Sequence, residues 1–151
     1  MPNWIEGTIK LRGKSEDLKR FFAEGFEPTR KDDIICTEYT EEYCNVKING
    51  ECWIKGTRRA FVRDWNVYWE KASDTVHMPI KQAWRFIEDA EDIDKWQNIS
   101  NQFHLDIRLY GFEQGQEFCE EVEIIDGIIT MDKEIRYNDW VWECPMPGFG
   151  G

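Results

Sequence analysis

At 151 residues, with 41% hydrophobic and 15% aromatic side chains, the chain has the length and apolar content of one packed domain, which excludes a disordered segment. No apolar run approaches the roughly 20 residues of a membrane-spanning helix, and that weighs against a helical membrane protein. The net charge of −11 is lopsided: residues 1–75 hold 14 acidic and 13 basic side chains, residues 76–151 hold 16 and 6. Such a field repels nucleic acid and attracts proteins that bind it.

The opening Met1-Pro2-Asn3-Trp4-Ile5-Glu6 has no basic stretch followed by an apolar one, so a cytoplasmic protein without a signal peptide is expected. Trp4 to Arg12 alternates, with Ile5, Ile9 and Leu11 on one side, and predicts a half-buried strand. Ser15 suits a helix N-cap, with Glu16 and Asp17 in the positive first turn. Leu18, Phe21 and Phe22 form the stripe of a short helix that Gly25 stops. Residues 27–33 read as a polar loop. Asn49-Gly50 suits a two-residue type I′ turn, which needs positive φ at both central residues. The resulting hairpin pairs Ile48 with Glu51, Val46 with Trp53 and Cys44 with Lys55. Cys44, Val46, Ile48 and Trp53 then share a face, and Cys52 lies on the other. The second arm runs on to Phe61-Val62 with a bend at Gly56, and Trp65 to Trp69 predicts another strand.

Pro79 suits the first turn of a helix, and Ile80, Ala83, Trp84 and Ile87 follow it at helical spacing. A second short helix holds Ile93, Trp96 and Ile99. Phe103, Leu105, Ile107 and Leu109 alternate with polar residues and predict a strand. Residues 111–115 form a turn. Phe118 to Ile125 and Ile128 to Ile135 are strands joined by an Asp126-Gly127 hairpin turn. Asp139 to Glu143 predicts a final strand. Residues 1–144 are thus expected to form a single α+β domain and 145–151 a flexible tail. The element order suits a ferredoxin-like antiparallel sheet with two or three helices packed on one face.

Two segments carry a resemblance. Met1-Pro2-Asn3-Trp4 followed by an alternating strand to Gly13, and Tyr110-Gly111-Phe112-Glu113-Gln114-Gly115-Gln116-Glu117-Phe118, resemble the YubB-like ferredoxin-like proteins of phages and plasmids. Pro79 ahead of Trp84 matches that family's Pro-containing turn. The resemblance implies a phage or mobile-element origin and a ferredoxin-like core. It implies no activity and no catalytic residues.

Cys36, Cys44, Cys52, Cys119 and Cys144 include no Cys-x-x-Cys pair, and His77 and His104 stand alone. Reduced thiols, no metal and no cofactor are expected. No nucleophile elbow, phosphate loop, dinucleotide fingerprint or zinc-peptidase motif occurs, so no catalytic residue is assigned. Arg58, Arg59 and Arg63 beside Trp65 and Trp69 form a basic-aromatic cluster, read either as partners for acids or as a small anionic-ligand site. Glu88, Asp89, Glu91, Asp92 and Asp94 cluster between the two expected helices, close to a negative helix end.

Glu113, Glu117, Glu120, Glu121, Glu123, Asp126, Asp132, Glu134 and Asp139 form the candidate partner-binding surface, with Trp140 and Trp142 as aromatic anchors. Glu121 and Glu123 share a strand face with Cys119 and Ile125, while Glu120 shares the other with Phe118, Val122 and Ile124. The charge serves either solubility and edge protection or a partner. The functional expectation is a non-enzymatic phage or mobile-element inhibitor of a host defence nuclease, of anti-CRISPR or anti-restriction type. Its acidic surface would mimic nucleic acid. The partner would be a host protein, with no direct nucleic acid and no membrane, and the chain a monomer or small homo-oligomer. The alternative is a sponge that sequesters a nucleotide immune signal in an aromatic and arginine-lined pocket.

Overall fold

The computed structural model describes residues 2–151, which form an α+β fold of nine antiparallel strands and three helices. Strand β1 (Trp4–Arg12) is central because Ile5, Ile9 and Leu11 on its inner side are fully buried. It pairs with β6 (Thr75–Ala83) on one side and β7 (Asp106–Glu113) on the other. Beyond β7 lie β8 (Phe118–Ile125) and β9 (Ile128–Ile135), joined through Asp126 and Gly127 at φ of 51° and 76°, the positive values that a type I′ turn needs. Beyond β6 lie β5 (Ala60–Glu70) and β4 (Tyr43–Ile54); the far edge of β4 is shared by β2 (Phe26–Pro28) and β3 (Ile34–Tyr39). The sheet order is β2-β4-β5-β6-β1-β7-β8-β9. This sheet is larger than the four strands of the expected ferredoxin-like arrangement.

Helix α1 (Ser15–Glu24) buries Leu18, Phe21 and Phe22, the stripe that its sequence predicts. Its cap is Lys14 rather than Ser15, whose hydroxyl instead accepts from Trp69 Nε1 at 3.1 Å. Helix α2 (Ala90–Phe103) buries Trp96, Ile99 and Phe103. Phe21 and Phe103 meet edge to face at 5.2 Å, so α1 and α2 close one core on one sheet face. The short α3 (Trp140–Glu143) caps a smaller cluster of Phe112, Cys119, Trp140 and Cys144. Phe112 and Cys119 are directly opposed in β7 and β8 and point away from the core, so this helix covers a corner of the other face. The strand expected over 139–143 is therefore this helical turn, started by Asp139 accepting from Trp142 N.

Asn49-Gly50 is not a hairpin turn. It lies inside β4, where β3 and β5 supply ladder partners on both sides. Gly50, at φ of 84°, takes up a one-residue register shift, and its N–H donates to Asp64 Oδ1 at 2.7 Å; the positive φ serves a bulge. The chain reverses at residues 55–59 instead, around Gly56 at φ of 89°. Cys52 therefore joins Cys44, Val46 and Ile48 in the core, and Trp53 does not. Phe61-Val62 and Trp65–Trp69 belong to one strand, β5.

Pro79 does not start a helix either. It sits within β6 opposite Thr8, where β5 has already parted from β6 after Phe61. Proline needs a strand side without a ladder partner, and this gap supplies one. Phe103 ends α2 rather than opening a strand. Residues 145–151 lie back on the sheet: Gly151 N donates to Trp4 O at 2.8 Å and Gln114 N to Phe149 O at 3.1 Å.

Candidate functional site

The acidic residues of the second half fall into three environments. Glu113 is buried, and its carboxylate accepts from Gly115 N and Gln116 N, which shapes the turn into β8. Glu120 is fully buried, accepts from Ile87 N at 2.8 Å and pairs with Arg85 at 3.0 Å. Burial pushes its carboxyl up to about 7 against the pull of Arg85. Glu121 and Glu123 lie on the face away from α1 and α2, and both pair with Arg108. Arg12 and Asp106 pair on the same face at 2.8 Å, so much of its charge is neutralised in place. Glu117, Asp126 and Asp139 are exposed at turns and at the α3 cap. Asp132 and Glu134 lie on the helix-bearing side of β9, opposite Val122 and Glu120. Glu134 bridges Arg85 and Arg136.

Glu88 to Asp94 sit at the start of α2, not at a helix C-terminus, so their charge complements the helix dipole. Asp89 is the N-cap and accepts from Asp92 N at 3.1 Å. Asp92 itself is 1% exposed and receives Arg58 Nε and Nη2 at 3.0–3.2 Å, together with Glu88 N at 2.8 Å. The other arms of Arg58 reach Ala83 O at 2.8 Å and Arg85 O at 2.9 Å. One guanidinium thus ties the β4–β5 turn to the start of α2 and to the strand end before it.

Between those two carbonyls stands Trp84, at φ of 68°, with Arg85 N donating to Ala83 O across it at 2.9 Å. This is a γ-turn, and a bulky residue held in that region carries about 1–3 kcal/mol of strain. The indole is 47% exposed. Beside it lies a hollow of about 150 Å³ bordered by Arg85, Glu88, Glu113, Gln116, Phe118 and Arg136. Arg85 and Arg136 both lie over the Phe118 ring, at 5.0 and 5.6 Å. Sequence periodicity puts Trp84 on a helix face and passes over Arg85. The available signal was Arg85 as the single cation between Lys81 and Lys95 in an acidic run, a charge that calls for carboxylates from elsewhere in the fold.

The basic-aromatic cluster does not gather into one pocket. Arg58 is in the Asp92 pair, Trp69 is in the core, and Arg63 pairs with Asp64 at the surface. Trp65 stands 6.4 Å from the His77 ring. Arg59 lies over the Trp4 ring at 5.1 Å, and Lys81 lies over the same ring at 4.9 Å. A cavity of about 340 Å³ opens nearby where β5 parts from β6, with Phe61, Arg63, Lys81 and Phe149 in its wall. Trp140 is buried and Trp142 is 86% exposed, so of the two expected anchors only the second is at the surface. The five cysteines are free thiols. Among the described residues no group of three or more His, Cys, Asp or Glu is placed to hold a metal ion, and no helix is long and apolar enough to cross a membrane. Set against known protein families, curated proteins and solved structures, the chain matches none.

Proposed function

We propose that the chain is a non-enzymatic, protein-binding inhibitor whose helix-bearing side docks on the basic, nucleic-acid-binding surface of a host defence nuclease. The observation that carries this reading is a set of exposed carboxylates on that side: Glu88, Asp89, Glu91 and Asp94 around the start of α2, with Asp132 of β9. Among the described residues only Glu91 of these has a cation partner, Lys95 at 3.9 Å. A field left unneutralised steers association with a basic partner.

The element order supports the kinship from which a phage or mobile-element origin, and action in the bacterial cytoplasm, are inferred. Strands β5-β6-β1-β7 are adjacent in that order, with α1 after β1 and α2 between β6 and β7 on one face. That is the order of a ferredoxin-like unit, here read as enlarged by β2–β4 and β8–β9.

The test is binding to purified CRISPR effectors and restriction nucleases, measured against salt. Charge reversal at Glu88, Glu91 and Asp94 together, which spares the Asp89 cap, is expected to weaken binding more than about ten-fold, and wild-type binding to fall steeply as salt rises. Trp142 lies with α3 on the other sheet face, so Trp142→Ser is expected to leave binding unchanged. Binding that survives the triple reversal refutes the reading. Glu120 is unsuitable for such a test, because reversing a buried charge unfolds the protein rather than altering its surface.

A second reading rests on the 340 Å³ cavity, where Phe61 and Phe149 offer ring surfaces and Arg63 and Lys81, paired with Asp64 and Glu51, stand beside Glu6. A nucleotide signal could be sequestered there. A rise in melting temperature with cyclic nucleotides, lost in Arg63→Ala, supports it; no rise at millimolar nucleotide removes it.

A further inference from the structure

Trp84 fills a backbone position that the fold gives no reason to fill with tryptophan. The middle of a γ-turn at φ of 68° is a place for glycine or asparagine. The indole is not placed there to fill the interior, since it belongs to neither apolar cluster and stays 47% exposed. The turn is instead held from outside: Arg58, fixed by Asp92, donates to the carbonyls on both sides of Trp84, and Trp84 N donates to Asn3 O. A strained residue that its surroundings over-determine points to function rather than stability.

The adjoining hollow selects the charge of an occupant. Arg85 is engaged by Glu120 and Glu134, and Arg136 by Glu134 and Gln116 O. Glu88 borders the same hollow with an exposed side chain that has no cation partner among the described residues. Glu88, Glu113 and Glu134 against Arg85 and Arg136 leave the hollow net negative. An anion would have to displace existing ion pairs, whereas a cation adds to them and also gains the indole face. We infer that Trp84 and Glu88 form an anchor site for an arginine side chain of the protein partner. A planar guanidinium stacks on an indole and meets a carboxylate with two parallel N–H groups, which an ammonium cannot do. Tryptophan and arginine are also the residue types most enriched at energetic hot spots, which tend to pair across an interface. The inference rests on the acidic side being the docking surface, and names the residue that gives that surface its specificity.

The experiment is a ¹⁵N NMR titration of the full chain with the peptide acetyl-Gly-Arg-Arg-Gly-amide, its lysine counterpart, and inorganic phosphate. The Trp84 indole N–H signal, identified by its absence in Trp84→Phe, is expected to shift saturably with the arginine peptide. Affinity should fall about ten-fold in Trp84→Gly and about five-fold in Glu88→Gln. The urea midpoint of Trp84→Gly should stay level or rise, because glycine relieves the turn; Trp84→Asn serves as a second variant compatible with positive φ. Wild-type affinity in Trp84→Gly, or a clear loss of stability in both Trp84→Gly and Trp84→Asn, overturns the inference. Equal affinity for the lysine peptide overturns the choice of arginine, and a saturable shift with phosphate overturns the choice of a cation. Charge reversal at Glu91 and Asp94 separates the two readings. If nuclease binding survives it while peptide binding is lost in Trp84→Gly, the anchor stands and the wider acidic surface fails. If nuclease binding is lost there while peptide binding survives Trp84→Gly, the anchor fails.

Discussion

Replacing Arg58 with methionine keeps much of the side-chain volume and removes the guanidinium that joins the β4–β5 turn, the Trp84 turn and α2. Asp92 would remain 1% exposed with its cation gone. Stripping one partner from a buried pair costs about 3–5 kcal/mol. Glu88 N still donates to Asp92, which holds the loss toward the lower end. The carbonyls of Ala83 and Arg85 also lose a donor, at about 1 kcal/mol each, although Ala83 O keeps its bond from Arg85 N. The expected loss is therefore about 4 kcal/mol, or roughly 8–16 °C in melting temperature for a chain of this length. Urea unfolding followed by tryptophan fluorescence measures it, and an unchanged slope shows that stability alone has moved. The companion variant Asp92→Leu and the double variant Arg58→Met/Asp92→Leu complete a cycle, in which the double loses about 2 kcal/mol less than the sum of the singles. A loss below about 1 kcal/mol for Arg58→Met, or an additive cycle, would refute the bracing role drawn from the geometry.

Glu120 titrates near 7 in the folded protein, against 4.5 for an ordinary glutamate. Between those values the folded state keeps a proton that the unfolded chain has lost, so wild-type stability declines as pH rises through this window. Glu120→Gln lacks that slope, and urea midpoints across the window that run parallel for the two proteins would contradict the assignment. Gly7 faces Gly111 across β1 and β7, and a methyl group at Gly7 would overlap Tyr110 O. Gly7→Ala is expected to lose about 3 kcal/mol or more, read by thermal unfolding; a loss under about 1 kcal/mol would mean that the two strands can part without penalty.

What the sequence by itself determined is local. Alternation in Trp4–Arg12, the Leu18-Phe21-Phe22 stripe and the Asp126-Gly127 hairpin are each decided within a few residues, where side-chain period and positive φ have one outcome. The same rules failed where a second element chose between outcomes. Asn49-Gly50 can turn a hairpin or bulge a strand, and the ladders from β3 and β5 select the bulge. Pro79 can open a helix or occupy an unpaired strand side, and the parting of β5 from β6 selects the strand. Strand β2 is three residues long with only Phe26 buried, and β3 has no fully buried residue, so neither sets a period. The candidate site was least legible: Arg58 and Asp92 are 34 residues apart, Arg85 and Glu120 are 35 apart, and composition ranked all four only as charge. Tertiary structure decided which carboxylates are buried, paired or free, because that depends on which strands and helices come together. The strain at Trp84 likewise arises from neighbours that hold its turn, and no property of the tryptophan in its own sequence window announces it.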